Sequence, residues 1–306
     1  MSEAAARRII QSISDSSMTD SSSATSAPTP SATTSNILMQ DFSLAGRTCI
    51  VTGAARGLGR EFLHAFANSG ATKMACLDIN KDQSTESCEI IKSTFASEHP
   101  GAPIPDVRPY AVDVTSEEAV TTTINQIISD LGPIHVLVAA AGICQNIPCL
   151  TYSASDFRKV FDINVNGLFF CGQAVAKSMV ENNVTDGSII FISSMSAGIV
   201  NKPQPQAAYN ASKAAVTHLA RSMACELATN GIRVNCLAPG YMHTALLDKV
   251  LELPGNPSDI WIENTPMKRL GEPEKDLRGP VVFLASNASR FMTGHELVVD
   301  GGYSCW

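Results

Sequence analysis

The chain has 306 residues, of which 44% are hydrophobic and 17% are charged, so it is long enough to bury a substantial core. Its formal net charge of -7 argues against a nucleic-acid partner, because neutralising a phosphate backbone requires clustered lysine and arginine. Its nine cysteines form no CxxC pair and no zinc-like spacing, which predicts reduced thiols, a cytoplasmic protein and no metal site.

The first 40 residues differ in composition from the rest of the chain. Residues 12–35 are rich in Ser, Thr, Ala and Pro without periodicity, which predicts a disordered tail over residues 1–40. The opening AAARRII has features of a transit peptide, but Glu3, Asp15 and Asp20 argue against mitochondrial import. The folded domain is predicted to span residues 41–306. No stretch approaches the roughly 18 apolar residues that a membrane span requires, so no membrane partner is expected.

From residue 41 onward, short apolar runs alternate with longer amphipathic patterns, which is typical of βαβ units. Strands are predicted at residues 48–52, 73–78, 108–112, 136–140, 188–193, 233–237 and 296–299. Helices are predicted at residues 58–68, 84–96, 117–131, 165–181, 207–229 and 274–285. The predicted fold class is α/β, a Rossmann-type doubly wound parallel sheet of about seven strands flanked by helices in a single domain.

The first turn of this pattern reads TGAARGLG and lies between a predicted strand and a predicted helix. Glycine lets the backbone approach a pyrophosphate, and a helix N-terminus offers unpaired N–H groups and a positive dipole end. The sequence therefore predicts a dinucleotide site that includes Gly53, Arg56, Gly57, Leu58 and Gly59.

Asp78 ends the next strand, nineteen positions beyond Gly59. A carboxylate there can accept both ribose hydroxyls and repels a 2′-phosphate, which favours NAD over NADP. Arg56 keeps NADP open, since its guanidinium could meet a 2′-phosphate if Asp78 turned away. The alternative for Asp78 is a helix N-cap or a solvated loop residue without a ligand. Asp113 and Val114, after the third strand, are candidates for a contact near the adenine.

The segment YNASK places Tyr209 and Lys213 four residues apart in a helical pattern, so that both side chains emerge on one face. A phenol ordinarily ionises near pH 10, and a neighbouring ammonium lowers its pKa. We therefore expect Lys213 to lower the pKa of Tyr209 and make it a usable base. The spacing alone is common in helices, so the pair is informative only together with the other motifs.

Taken together, the motifs resemble the short-chain dehydrogenase/reductase family over residues 41–306. The resemblance includes the TGxxxGxG loop, the YxxxK pair, the strand end FISSMSAG and a PG turn followed by a threonine. It implies an NAD(P)-dependent enzyme acting on CH–OH groups, in which Tyr is the acid or base, Lys supports it and holds the nicotinamide ribose, Ser polarises the substrate oxygen and Asn anchors a proton relay. A homotetramer or homodimer is also implied. The cofactor contacts implied in this way are Ala140, Gly142, Tyr209, Lys213, Pro239, Gly240 and Thr244.

Motif position identifies the asparagine as Asn164, with Asn166 as the alternative. For the serine, FISSMSAG offers Ser193, Ser194 and Ser196. The ISSxxG-like pattern selects Ser194, fifteen positions before the tyrosine, whereas the commoner family spacing of thirteen selects Ser196. The long loop NKPQPQAAY favours Ser194 and leaves Ser196 to face the substrate.

One departure from the family pattern follows the fourth strand, where Ala139, Ala140, Ala141 and Gly142 replace the usual NNAG. The missing amides ordinarily brace the central sheet, so another group must satisfy the backbone there. His218 and His243 have no ligand partners at suitable spacing, so neither indicates a metal site.

The segments expected to close over the active site are residues 142–148, 194–206 and 241–265, whose polar side chains suit a hydroxyl-rich ligand. Expected substrate contacts are Gln145, Ser196, Gln204 and His243. The stretches VNKPQPQAAYNASKAAVTHLARSMACE, APGYMHT, PMKRLGEP and TGHELVVDGGYSCW are similar to those of the family's fungal D-arabinitol 2-dehydrogenases and related sorbose or xylulose reductases. This implies NAD-linked oxidation of D-arabinitol to D-ribulose. Two alternatives stay open: an NADPH-dependent ketoreductase of secondary metabolism, and a non-catalytic nucleotide-binding scaffold.

Overall fold

A computed structural model describes residues 37–244 and 257–306, and a sheet of seven parallel strands runs through the centre of this part of the chain. Its strands are β1 (Thr48–Thr52), β2 (Lys73–Asp78), β3 (Asp106–Ala111), β4 (Val136–Ala139), β5 (Gly187–Ile192), β6 (Ile232–Pro239) and β7 (Glu296–Val299). Their spatial order is β3-β2-β1-β4-β5-β6-β7, and all neighbouring pairs are parallel. The predicted Rossmann-type doubly wound sheet is confirmed.

Helices connect the strands along the chain. They are α1 (Ile37–Asp41), α2 (Gly57–Asn68), α3 (Lys81–Glu98), α4 (Glu117–Leu131), α5 (Ala154–Phe161), α6 (Leu168–Glu181), α7 (Ala207–Leu227), α8 (Ser258–Asn264) and α9 (Arg278–Ala285). Wider π-type turns, Asp162–Gly167 and Pro273–Leu277, lead into α6 and α9. The predicted tail overlaps α1 at its last residues, while residues 1–36 of that prediction lie outside the described residues.

The sheet is buried on both faces, which is why its strands are continuous apolar runs rather than alternating ones. Along β1, Ile50 belongs to the hydrophobic cluster on one face, which includes Phe191, and Val51 belongs to the cluster on the other, which includes Phe62. In the described part of the chain, no helix is long and apolar enough to cross a membrane.

The strand order reverses between β1 and β4, which lie side by side although two strands separate them in sequence. In open α/β sheets of this kind, ligands bind beyond the carboxyl ends of the strands at such a switch point. The glycine loop follows β1 and the AAAG segment follows β4, so the fold brings these two predicted cofactor segments together.

Thr52, the last residue of β1, supplies the group that replaces the missing asparagines. The backbone N–H groups of Ala140 and Ala141 donate to the Thr52 hydroxyl oxygen over 3.1 and 3.2 Å. A single side chain therefore joins the carboxyl ends of β1 and β4 and satisfies two amides that would otherwise be unpaired.

At the amino ends of the strands, the buried Arg47 links the start of β1 to the end of α9 through hydrogen bonds. Its guanidinium donates to the Ala285 carbonyl at 3.0 Å, to the Asp186 carboxylate at 2.7 Å and to the Asn287 side chain at 2.8 Å. We expect Arg47→Met to lower the free energy of unfolding by about 2 to 3 kcal/mol, because it removes these hydrogen bonds and leaves the buried Ala285 carbonyl without this donor. Urea denaturation measures this change.

The matched control is Arg290→Met, which removes an exposed guanidinium from its ion pair with Asp41. Exposed ion pairs contribute little to stability, so the urea midpoint of this variant should match the wild type. Equal midpoints for the Arg47 and Arg290 variants would contradict the bridging role of Arg47.

Candidate active site

The glycine loop after β1 has the shape of a phosphate cradle. Gly53 and Gly57 adopt φ angles of 67° and 56°, in the left-handed region that favours glycine. A Cβ on Gly59 would collide with the Gly53 carbonyl oxygen, and one on Gly53 would lie 2.8 Å from Ala141 Cα. The missing Cβ of Gly57 instead faces open space at the start of α2. These residues therefore fit a dinucleotide pyrophosphate at the helix N-terminus.

Asp78 points toward this loop. Its carboxylate accepts hydrogen bonds from the backbone N–H of Ala55 and of Asn80, both over 3.2 Å. Asn80, not Asp78, is the N-cap of α3, since its side chain accepts from the Gln83 N–H at 3.0 Å. The alternative interpretation of Asp78 as a helix cap is thus wrong. The carboxylate is partly exposed beside the loop, where an adenosine ribose would lie.

The segment after β3 carries the candidates for the adenine end of the site. Asp113 accepts hydrogen bonds from the Thr115 N–H and hydroxyl over 2.9 and 2.7 Å. Val114 is buried against the π-type turn, where a Cβ on Gly167 would lie 2.7 Å from the Val114 side chain. Asp113 therefore stabilises its own turn, and Val114 fixes where that turn lies.

Tyr209 and Lys213 occupy the first two turns of α7, as predicted from their spacing. The Lys213 Nζ lies 5.6 Å from the centroid of the Tyr209 ring and donates to the Ile192 carbonyl at the end of β5 over 2.7 Å. Lys213 is buried, whereas Tyr209 is partly exposed. A Cβ on Gly142 would lie 3.8 Å from the Lys213 Nζ, so only a small residue leaves room for a ligand there.

The expected pKa effect of Lys213 on Tyr209 is wrong for the ligand-free protein. Burial raises the pKa of Tyr209 to about 12, although a hydrogen bond with Ser194 acts in the opposite direction. Burial also lowers the pKa of Lys213 to about 8. Desolvation of the charged form is the largest cause of both shifts, and the Lys213 ammonium group donates to the Ile192 carbonyl and not to the phenol.

Asn164 lies in the π-type turn before α6 and is fully buried. Its side chain accepts from the Ile143 N–H at 2.8 Å and donates to the Ile143 carbonyl at 2.9 Å and the Ser212 hydroxyl at 3.0 Å. Asn166 is exposed and bonds only to Asp162 among the described residues. Of the two asparagines, Asn164 is therefore the one next to α7 and the AAAG segment.

The three serines after β5 point to different partners. Ser193 bonds to Thr217 at 2.7 Å and to Glu296 at 3.1 Å, away from the phenol. Ser194 lies close enough to the Tyr209 phenol to act on its pKa in the lowering direction, and the Ser194 hydroxyl donates to Ser196 Oγ over 3.1 Å. Contact with the phenol thus favours Ser194 over Ser196 as the catalytic serine.

The predicted substrate contacts have distinct surroundings. Gln145 accepts a hydrogen bond from the Tyr152 hydroxyl at 2.8 Å. Gln204 donates to the Tyr241 hydroxyl at 2.7 Å and accepts from the Trp261 indole at 3.1 Å, so both ends of its amide are used within the protein. In the ligand-free protein Gln204 therefore braces Tyr241 and Trp261, and its contact with substrate stays a prediction.

Tyr241 and Trp261 were not predicted from the sequence, and they form the wall that Gln204 braces. Their rings stack with centroids 4.3 Å apart. They lie on either side of residues 245–256, so no local sequence signal joins them. Part of the predicted closing segment 241–265 consists of those residues and lies outside the described residues.

The PG turn and its flanking residues follow β6. Gly240 follows Pro239, the last residue of β6, and its N–H donates to the Val299 carbonyl at 2.9 Å. A Cβ on Gly240 would lie 2.7 Å from Asp300. His243 is exposed, with its N–H bonded to the Gly271 carbonyl at 2.6 Å, and Thr244 is partly exposed. Within residues 37–244 and 257–306, no group of three His, Cys, Asp or Glu side chains could hold a metal ion.

Comparison with known proteins places this geometry in a family. Residues 53–304 match a family model described as enoyl-(acyl carrier protein) reductase. In a separate comparison, the chain is 40% identical over 275 residues to a protein called D-arabinitol 2-dehydrogenase [ribulose-forming] from Scheffersomyces stipitis. The chain belongs to the short-chain dehydrogenase/reductase family. The Scheffersomyces match covers 88% of this short-chain dehydrogenase/reductase and 98% of its relative.

Two further matches agree with this assignment. The NADH-dependent L-xylulose reductase of Ambrosiozyma monospora is 34% identical over 87% of this short-chain dehydrogenase/reductase and 97% of its own length. The crystal structure of gox2181 is 38% identical, with a TM-score of 0.81 over 88% of this chain and 100% of that one. The protein is therefore an NAD(P)-dependent short-chain alcohol dehydrogenase that acts on CH–OH groups.

Proposed function

We propose that this short-chain dehydrogenase/reductase oxidises D-arabinitol at carbon 2 to D-ribulose, with NAD as the hydride acceptor. The position of Lys213 Nζ 5.6 Å from the Tyr209 ring, one turn apart on α7 and with Ser194 beside the phenol, carries this proposal. The similarity to ribulose-forming D-arabinitol 2-dehydrogenases supports the sugar alcohol as substrate. The side chains of Gln145, Ser196 and Gln204 also offer amide and hydroxyl groups that suit a polyol.

In this mechanism, Tyr209 takes the proton from the hydroxyl on carbon 2 as a phenolate. Bound NAD supplies nicotinamide C4 as the hydride acceptor. Ser194 donates a hydrogen bond to the oxygen as it becomes a carbonyl. Lys213 provides positive charge beside the phenolate, and Asn164, which is held by the Ile143 backbone, would anchor the proton relay that connects Tyr209 to solvent.

The cofactor would lie along the carboxyl edge of the sheet. Gly53, Arg56, Gly57, Leu58 and Gly59 would hold its pyrophosphate. Asp78 would bind the adenosine ribose, and Asp113 and Val114 would lie near the adenine. The nicotinamide end would contact Ala140, Gly142, Tyr209, Lys213, Pro239, Gly240 and Thr244. Gln145, Ser196, Gln204 and His243 would contact the substrate.

A panel of D-arabinitol, L-arabinitol, xylitol, sorbitol and mannitol, each with NAD and with NADP, tests the proposed function. We expect the highest kcat/KM with D-arabinitol and NAD, and D-ribulose as the product. Preference for NADPH together with no oxidation of any polyol would reject the proposal and favour the ketoreductase alternative.

Asp78 is expected to set the choice between NAD and NADP. Replacing Asp78 by Ser removes the carboxylate that repels a 2′-phosphate and binds the ribose hydroxyls. The ratio of kcat/KM for NAD to that for NADP should fall on the order of 100-fold, since a hydrogen bond to a charged group contributes about 1.5 to 3 kcal/mol. Asp82→Ser, an exposed acidic residue in the first turn of α3, is the control and should leave the ratio unchanged.

The rate of polyol oxidation should depend on pH through Tyr209 and Lys213. With the pKa of Tyr209 at about 12 and that of Lys213 at about 8, the phenolate beside a protonated lysine becomes more populated as pH rises to 8. Its population then levels off, because Lys213 loses its proton as Tyr209 continues to ionise. We expect kcat/KM to rise roughly tenfold per pH unit from pH 6 to pH 8 and to level off above it. A flat profile below pH 8 would contradict this assignment.

We also propose a homotetramer or homodimer in the cytoplasm. A groove between α6 and α7, lined by Phe169, Ala176, Val180, Met223 and Leu227, offers an apolar face for a second copy. Val180 is 45% exposed there, and Val298 on the edge strand β7 is 43% exposed. All nine cysteines are free thiols, which supports a reducing compartment. Light scattering measures the assembly.

A further inference from the structure

Gln206 lies immediately before α7 and is buried beside the catalytic cluster. Its Nε2 lies 2.7 Å from Asn201 Oδ1, 2.9 Å from Asn210 Oδ1 and 3.2 Å from Ser196 Oγ. Its Oε1 lies 3.9 Å from the Cys144 thiol, a weak donor. Because acceptors surround the nitrogen, the amide has one orientation that satisfies its neighbours.

The orientation of Asn201 supports the same conclusion. The Asn201 Nδ2 donates to the Tyr241 hydroxyl at 3.1 Å, which leaves its Oδ1 to face Gln206. Gln204 donates to the same Tyr241 oxygen. Tyr241 thus fixes Asn201, and Asn201 in turn requires that Gln206 present its N–H groups and not its carbonyl.

This orientation restricts the hydroxyl of Ser196. An amide nitrogen donates and does not accept, so the Ser196 proton cannot point to Gln206. Ser196 is buried. In the ligand-free protein the Ser194 hydroxyl donates to Ser196 Oγ over 3.1 Å, while Ser194 Oγ accepts from the Ser196 backbone N–H over 3.2 Å. When substrate binds and the Ser194 proton turns to the substrate oxygen, this bond reverses, and Ser196 donates to Ser194 Oγ because a buried hydroxyl needs a partner. The Ser194 proton is then available to the substrate oxygen.

We propose that Gln206 is a positioning residue that sets the direction of the hydrogen-bond chain from Gln206 through Ser196 to Ser194. In this chain each group accepts from the one before it and donates to the next. Gln206 and Ser196 touch neither the reacting carbon nor the phenol and act through Ser194. The inference rests on the proposed function, in which Ser194 donates to the developing carbonyl.

Gln206→Glu is the sharpest test, because it keeps the shape and replaces a donor with an acceptor. A carboxylate at this position would accept the Ser196 proton, Ser196 would accept the Ser194 proton, and Ser194 would no longer donate to the substrate. We expect kcat for D-arabinitol oxidation to fall ~100-fold with KM for NAD within ~2-fold of wild type. The isotope effect with D-arabinitol deuterated at carbon 2 should increase, since hydride transfer becomes slower.

Ser196→Ala tests the chain without adding a charge, and we expect it to lower kcat ~10-fold at an unchanged Tm. In the Ser196→Ala background, adding Gln206→Glu should lower kcat by less than a further ~3-fold, because the hydrogen-bond link to Ser194 is already missing. The matched control is Gln126→Glu, on the exposed face of α4, which should keep wild-type kcat. If Gln206→Glu does not fold, the Ser196→Ala result decides.

Wild-type kcat in Gln206→Glu, or kcat within twofold of wild type in Ser196→Ala, would overturn the inference. So would a double variant in which the two losses of kcat multiply. The inference would also fail if Gln206→Glu raised only the KM for NAD and left kcat unchanged. Tyr209→Phe is measured alongside. If that variant or Ser194→Ala keeps wild-type activity, the proposed function itself fails. If both lose activity while Gln206→Glu does not, only the inference about Gln206 is wrong.

Discussion

Replacing Tyr209 by Phe is expected to lower kcat for D-arabinitol oxidation by about 10³-fold, within the range of a lost general acid or base. The substitution removes the only atom of this ring that can exchange a proton. The phenyl ring keeps its place beside Lys213, so the affinity for NAD should stay within ~2-fold. Steady-state kinetics and NAD titration by fluorescence measure the two effects.

Tyr110→Phe is the control for this experiment. The Tyr110 hydroxyl bonds to Asp130 at 2.9 Å, on β3 and away from the catalytic cluster. That variant should keep wild-type kcat. Activity of Tyr209→Phe comparable to that of Tyr110→Phe would refute the assignment of Tyr209 as the acid or base.

Lys213→Met is expected to separate activity from stability. We expect kcat to fall by about 10² to 10³-fold and the affinity for NAD to decrease, because the variant loses both the charge beside the phenolate and a cofactor contact. Stability should not decrease. Burial of the ammonium group lowers the pKa of Lys213 to about 8, so the charged form is disfavoured in the folded protein.

The sign of the pH dependence follows from that lowered pKa. Between about pH 8 and 10.5 the unfolded chain binds a proton at Lys213 that the folded protein does not, so wild-type stability rises with pH in this window. The stability advantage of Lys213→Met should therefore be greatest below pH 8 and should shrink toward pH 10.5. Urea denaturation at several pH values measures it, with Lys92→Met as an exposed control. A destabilised Lys213→Met at pH 7 would contradict this expectation.

The strands were predictable because each is a short apolar run between turn residues. The bounds of β1, β2 and β7 agree with those predicted. The helix α5 was missed although Phe157, Val160 and Phe161 have helical spacing, because its eight residues make only about two turns and the periodic signal is short. The helix α8 has seven residues and is too short for a periodic signal.

The candidate site was predictable where a motif lies within one segment, as for Tyr209 and Lys213. It was not predictable where partners are far apart in sequence. Nothing near Gln206 in the sequence indicates that Tyr241 orients Asn201 beside it. The pKa of Tyr209 was mispredicted for a related reason, since burial depends on the packing of several elements and not on the spacing of two residues.

The Thr52 hydroxyl limits which substitutions this sequence can accept during evolution. Because it accepts from the amides of both Ala140 and Ala141, the backbone there needs no side-chain amide from the AAAG segment itself. Alanine at these positions is neutral only while residue 52 carries a hydroxyl, so the three positions are epistatic. A valine at 52 would preserve the packing of β1 and still make the alanines deleterious. The departure from NNAG is thus tolerated because the threonine that begins the TGxxxGxG loop already satisfies these two amides.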